Sequence, residues 1–437
     1  MSGKTAPQAR SSRRNSRRRG QNTESPQIIR GDNLDNTLVG GPENSIFVAS
    51  EGNDSYTFGG GNDTIDYSDM GESIQLIRGG VVNKGKLGAD TFNDFYSSIK
   101  ASNLDNDWID GISGGGQIAS LAADLSENKL EIQNIPGIGD VEVKIQNFEN
   151  IDGSDTADQL KGDRKNNIIN GNGGNDAIIS GGGNDTYSFG DGTDTIDYSQ
   201  AKQSIRLIRG GTVDKGRGEV DTFNDFYETI KASNLKEDWI DGLSGGGQIA
   251  SLNADLENNL LEINGLPGIG SVSVEAINFE HIDGSDTDDN LKGDAGENIL
   301  RGNNGNDILT GGRGADILSG GNGNDIFSFS NGDSTLKRMD NILDFNINED
   351  IITGDSADAD VESLGSINSL SKRSTSRLLS TESFTANQSV LFTVAGDEAI
   401  ERTFLAINNA QDGFQPKLDS IIEITGYTGN TEEIVIT

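Results

Sequence analysis

Acidic and amide side chains recur every nine residues in three stretches of this 437-residue chain, a pattern suited to holding cations. They are Asn36, Asp54 and Asp63; Asp158, Asn167, Asp176, Asp185 and Asp194; and Asp289, Asn298, Asp307, Asp316 and Asp325, with Ser45 as the weak member of the first series. The chain has one histidine and no cysteine, so its ligands are hard oxygens, which favour Ca2+ over zinc or copper.

Around each acid the sequence reads G-G-x-G-x-D-x-U-x, with U a large apolar residue. The clearest run is GNNGNDILT, GGRGADILS and GGNGNDIFS from Gly302 to Ser328. The glycine-rich six residues suit a tight turn, and the last three suit a short strand with U facing inward. Turn, strand, turn and strand close a coil in 18 residues, so side chains 18 apart stack along one edge. A column of carboxylates at strand spacing repels itself, and a divalent ion between turns removes that cost. The candidate bridging pairs are Asn36 with Asp54, Asp63 opposite Ser45, Asp158 with Asp176, Asn167 with Asp185, Asp176 with Asp194, Asp289 with Asp307, Asn298 with Asp316, and Asp307 with Asp325. Turn carbonyls near Gly61, Gly183, Gly305, Gly314 and Gly323 would complete the ligand shells.

These nonapeptides resemble the repeats-in-toxin (RTX), or haemolysin-type, calcium-binding family. The resemblance implies an all-β fold of parallel β-rolls, Ca2+ as cofactor, an extracellular or cell-surface location, and release by a type I exporter that reads an uncleaved C-terminal signal. Such export would account for the lack of an apolar signal segment behind the N-terminal arginines.

The expected layout is a disordered basic arm (1–30), a first RTX block (31–66), a β-rich insert (67–152), a second block (153–197), a second insert (198–283), a third block with a roll-terminating segment (284–353), a Ser-rich linker (354–388) and a small C-terminal domain (389–437). The inserts are copies at an offset of 131 residues: TFNDFY recurs at 91 and 222, and DWIDG at 107 and 238. Their alternating apolar runs on either side of Pro-Gly predict hairpins, with Trp108 and Trp239 anchoring small cores. Asp340, Asp344 and Asp350 are placed to close the last roll, and the C-terminal segment resembles the bluetail domain of cyanobacterial RTX surface proteins.

The charge narrows the partners. Residues 1–30 hold eight Lys and Arg against Glu24, leaving 26 basic and 69 acidic residues on the rest, a net of −43. Such a surface repels nucleic acid and anionic lipid and attracts cations. The arm reads as a solvated tail, or as a tether to nucleic acid or an anionic surface. No apolar run is long enough to span a membrane.

Catalysis finds little support. H-E-x-x-H is absent, and the G-x-S-x-G matches at Ser113 and Ser244 lack a common base, because His281 of the second copy is Asn150 in the first. The expectation is a secreted, non-enzymatic, calcium-binding protein with a structural, adhesive or surface-layer role that contacts cell-surface or matrix components and folds on Ca2+ after export. The alternative is a carboxylate-based extracellular hydrolase of polysaccharide, with the inserts as catalytic or carbohydrate-binding modules.

Overall fold

The computed structural model describes residues 25–78, 80–113, 120–135, 138–244, 251–266, 270–354, 361–395, 401–409 and 411–427. The basic arm up to residue 24 lies outside them. The described chain is nearly all β, in an 18-stranded and a 21-stranded sheet facing each other across one narrow core.

In the blocks, the nonapeptide period translates directly into register. Leu160 pairs in parallel with Ile178 and Ile178 with Ile196 in one sheet, while Ile169 pairs with Tyr187 in the other. Leu291, Leu309 and Phe327, and likewise Leu300 and Leu318, repeat the pattern in the third block. Every U position from Leu38 to Phe327 is buried, because strands of three residues offer one inward side chain each. The turns pack as tightly: a Cβ on Gly323 would lie 1.7 Å from the Gly305 carbonyl oxygen one coil earlier, and Gly323 has φ +138.

The inserts continue the two sheets. Thr64–Asp66 pairs in parallel with Ser98–Lys100, which pairs with Gly139–Gln146. That strand runs antiparallel to Lys129–Ile135, which in turn runs antiparallel to Ser120–Asp124, and the latter joins Gln159–Lys161 in parallel. The other sheet passes from Ser55–Thr57 through Ala89–Phe92, Val81–Asn83 and Gln75–Ile77 to Trp108–Asp110. The second insert repeats both paths. The predicted hairpin strands are therefore present, but the separate small cores are not. Trp108 and Trp239 are half-buried, and it is Ile109 and Ile240 that point into the shared core.

Two segment boundaries shift. Gln27–Arg30 is already a strand, paired with Ser45–Val48, because Ile29 packs against the core, so the arm ends before it. The Ser-rich stretch holds the strand Val361–Ile367 and the helix Lys372–Leu378, capped by the Ser371 hydroxyl accepting from the Ser374 amide (3.1 Å). Leu379 and Phe384 then join Val390, Phe392, Phe404 and Ile421 in a second core, so this stretch belongs to the C-terminal domain. That domain adds Ser420–Ile424 in parallel to Asn341–Ile342 at the end of the roll.

Leu309→Ala removes a fully buried side chain and is expected to cost about 2–5 kcal/mol, whereas Ile308→Ala, on the outer face, changes stability by about 0.5 kcal/mol or less. Urea denaturation at fixed, saturating calcium measures both, and equal losses would contradict the inward and outward assignment.

Candidate metal sites

Most nonapeptides end their turn with an acid whose Oδ1 accepts from a backbone N–H of the coil before it. Asp176 Oδ1 accepts from the Asp158 amide (2.8 Å), Asp194 from Asp176 (2.8 Å) and Asp185 from Asn167 (2.9 Å). Asp307, Asp325 and Asp316 accept from Asp289 (2.8 Å), Asp307 (2.9 Å) and Asn298 (2.8 Å). In the first block Asp54 accepts from Asn36 (2.9 Å) and Asp63 from Ser45 (2.7 Å). The pairing of acids 18 residues apart thus has a concrete form, a carboxylate reaching back to a backbone N–H.

What becomes of the second oxygen divides the acids into classes. Asp158 and Asp289 are saturated, since both oxygens accept from Ser154 or Ser285 as well as from an insert amide. Asn167 and Asn298 are neutral and also satisfied: Oδ1 accepts from the Asp163 or Asp294 amide, and Nδ2 donates to the carbonyl of Glu149 or Glu280. Asn36 exchanges hydrogen bonds with Asp32 in the same way.

By contrast, Oδ2 of Asp176, Asp307, Asp316, Asp325 and Asp340 is buried with no partner. A buried carboxylate oxygen left unmatched is costly and calls for a cation. Burial pushes the carboxyls of Asp176 and Asp307 up to about 7, with neighbouring carboxylates adding to it and backbone donors opposing. Burial also pushes Asp325 up to about 6, and raises Asp316 and Asp340, which face each other.

Two of the sequence-predicted ligands already have a cation. Lys84 Nζ lies 2.5 Å from Asp90 Oδ1 and 3.7 Å from Asp54 Oδ2 and donates to the Ser50 carbonyl (2.7 Å). Lys215 Nζ lies 2.7 Å from Asp221 Oδ1 and 3.1 Å from Asp185 Oδ2 and donates to the Gly181 carbonyl (3.2 Å). In both copies a buried ammonium stands between two carboxylates of the ladder and a turn carbonyl, so Asp54 and Asp185 are neutralised from within the chain. Burial still outweighs the ammonium at Asp90 and Asp221, whose carboxyls are raised.

The sequence reading missed these lysines and the acids that carry the ladder through the inserts. Asp90 and Asp221 accept from the Asp54 and Asp185 amides, Glu228 from Asp194, and Glu149 and Glu280 from Asp107 and Asp238. One signal was available: Gly88-Ala89-Asp90-Thr91-Phe92 matches the last part of the nonapeptide. The terminating acids fall where expected. Asp340 and Asp350 accept from the Asp316 and Asp325 amides, and Asp344 from Gly320 and Gly321.

Among the described residues no group of three or more His, Cys, Asp or Glu side chains converges. A donor set of one or two carboxylates completed by turn carbonyls is consistent with that and is hard enough for Ca2+. Gly61, Gly183, Gly305, Gly314 and Gly323 all sit in turns packed against the backbone or side chains of the preceding coil. When bound between coils, calcium would neutralise the orphaned oxygens, with Asp176, Asp307, Asp316, Asp325 and Asp340 as its best-fitting holders.

His281 has a structural use: its Nδ1 accepts from the Ile299 amide (3.1 Å), and its ring packs on Trp239 (4.7 Å between centroids), over which the Arg301 guanidinium also lies. The Ser113 and Ser244 amides are tied to Asp110 and Asp241 (2.7 Å each) in turns after short strands.

The profile of the RTX calcium-binding nonapeptide repeat, in four copies, matches residues 30–65, 152–187, 283–318 and 301–336. These matches fall on all three blocks, so the chain carries RTX calcium-binding repeats. Among solved structures it is similar to the extracellular lipase LipA from Serratia marcescens (20% identity, 79% of this chain, 45% of the lipase, TM-score 0.19). It is also similar to the AlgE6R3 subunit of the Azotobacter vinelandii mannuronan C5-epimerase (27% identity, 34% of this chain, 78% of that one, TM-score 0.20). The chain thus spans less than half of the lipase. No curated protein is similar at a significant level.

Two expectations arise from this ladder. Lys215→Met leaves Asp185 and Asp221 facing each other without a cation, and thermal melts at a fixed, low calcium level that still folds the protein should show a loss of about 3–5 kcal/mol that excess calcium partly restores; a loss unaffected by calcium would contradict the lysine's role as a built-in cation.

The second concerns pH. Raised carboxyls mean that the folded, metal-free chain binds more protons than the unfolded one between about pH 4 and pH 7, so its stability falls as pH rises through that window. In chelator the far-UV β signal should be larger at pH 5, where protonation removes the charge, than at pH 8, while the gain from calcium should be larger at pH 8. Identical chelator spectra at both pH values would refute this.

Proposed function

We propose that this chain is a secreted calcium-binding protein with a structural, adhesive or surface-layer role, whose rolls fold on Ca2+ after type I export. The observation that carries the reading is the row of buried, unpartnered carboxylate oxygens in the second and third blocks. In a cytosol poor in free calcium those oxygens keep the rolls from closing, which suits passage through a narrow exporter. Outside, at the roughly 10⁻⁴ to 10⁻³ M affinities of extracellular calcium modules, the ions complete the ladder. The C-terminal domain, resembling the bluetail domain of cyanobacterial surface proteins, is the part assigned to export.

The same reading makes the chain a scaffold rather than an enzyme. The one histidine is engaged with the Ile299 amide and Trp239, which supports a structural use, and no helix among the described residues is long and apolar enough to cross a membrane. Contact with cell-surface or matrix components would then be the role of the exposed faces.

Far-UV circular dichroism during a calcium titration from chelator to about 10 mM, with magnesium as control, tests the mechanism. A cooperative rise in β signal with calcium alone is expected. A spectrum already β-rich in chelator and unchanged by calcium would overturn it.

A further inference from the structure

The end of the roll and the C-terminal domain enclose a cavity of about 930 Å3 whose rim is basic, in a chain of net charge −36. Arg313 comes from a turn of the third block, Lys337 and Arg338 from the loop before Asn341–Ile342, Lys372 from the first position of the helix, and Lys417 from the loop before Ser420–Ile424. From residue 284 onward the chain has ten Lys and Arg among 26 Asp and Glu, and five of the ten meet here. Asp333 is the acid that lines the same cavity.

Some basic side chains of the roll find carboxylates, as Lys161 does with Asp124 (3.3 Å) and Lys292 with Glu257 (2.6 Å), and others, such as Lys144 and Arg164, do not among the described residues; what sets the cavity apart is that its cations converge. Among the described residues, none of these five cations forms an ion pair. Four sequence-distant segments bringing unpaired cations to one recess, against the charge of the whole molecule, is the signature of an anion site. Leu336, Phe414, Pro416 and Leu418 add apolar surface to the lining.

We infer that this cavity binds an acidic polysaccharide through the carboxylate or sulfate groups of successive sugar units. Several charges around a recess match a ligand with charge repeated along a chain, and apolar lining that includes an aromatic ring suits the less polar face of a sugar. A bilayer surface is flat and does not enter a recess. Screening confines repulsion from the acidic roll to about 8–10 Å, and calcium in the roll lowers it further. The inference gives a ligand class to the adhesive role proposed above and rests on that reading only for its biological setting, because binding is measured at saturating calcium, after the roll has folded.

Isothermal titration of the full chain with a galacturonate hexamer, in millimolar calcium and low salt, tests it, with maltohexaose as the uncharged control. The wild type is expected to bind the galacturonate, more weakly as salt rises, and not the maltohexaose. Arg338→Gln with Lys417→Gln is expected to weaken binding by about tenfold or more, and Arg17→Gln with Arg18→Gln and Arg19→Gln, in the basic arm, to leave it unchanged. Circular dichroism checks the fold, and Arg313→Gln alone, at an exposed turn position, serves if the double variant does not fold. Equal affinity for both hexamers, full affinity in the cavity variants, or loss only in the arm variant would overturn the inference. Binding to phosphatidylserine vesicles that depends on the same cavity cations would assign the site to a membrane instead and overturn it as well.

Discussion

Stacking coils at strand spacing puts one acid from each coil directly above the next, inside turns where water has little access, and the whole architecture answers to that constraint. One carboxylate oxygen is used well: it caps a backbone N–H of the coil before, which supplies the donor partner that a tight Gly-rich turn cannot provide for itself. The other oxygen is the difficulty. Leaving such a group buried and unmatched costs about 1–3 kcal/mol, more if charged, while a folded domain has about 5–15 kcal/mol in total. Five such oxygens cannot be carried by a core one side chain thick.

The chain meets the difficulty in several ways along one ladder. Serine hydroxyls and amides absorb it at Asp158 and Asp289, asparagine replaces the charge at Asn36, Asn167 and Asn298, and lysine neutralises it at Asp54 and Asp185. A bound cation would be left with the rest. The steps at which a block meets an insert are thereby closed by the chain itself, whereas four of the five orphaned oxygens belong to the third block and its terminating segment. Dependence on a bound cation would therefore be greatest toward the C-terminal end of the roll.

How much of this is legible in the sequence depends on the range of each interaction. The blocks were legible because glycine, acid and apolar residue recur at fixed places, so period, register, inward residues and the 18-residue partnership of the acids all come from one spacing. The inserts were legible as β-rich but not as coils of the same roll, since their hairpins break the nine-residue count while keeping the inward positions, as with Ile99 and Ile145 beside Ile65. Lys84 and Lys215 could not be assigned from spacing, because each meets its acid about one insert hairpin away. Their recurrence at the 131-residue offset was the available hint. The helix Lys372–Leu378 was hidden by composition: serines that read as a linker include the Ser371 cap.

The last calcium-demanding step also organises the C-terminal domain. Asp340 presents an unmatched carboxylate oxygen to the Asp316 step, and its backbone carbonyl accepts from the Glu423 amide (2.9 Å) in the strand that this domain adds to the sheet. Thr425 continues the same ladder onto Ile342 (2.9 Å), and Ser334, six residues before Asp340, exchanges hydrogen bonds with Ile421. The cavity cations Lys337 and Arg338 lie on the short loop between Ser334 and Asp340. Neutralising Asp316 and Asp340 would therefore steady the edge on which the C-terminal domain is built, close to Lys337 and Arg338. An ion held at this step would act at a distance from any ligand, by steadying the backbone on which the basic residues of the recess are assembled.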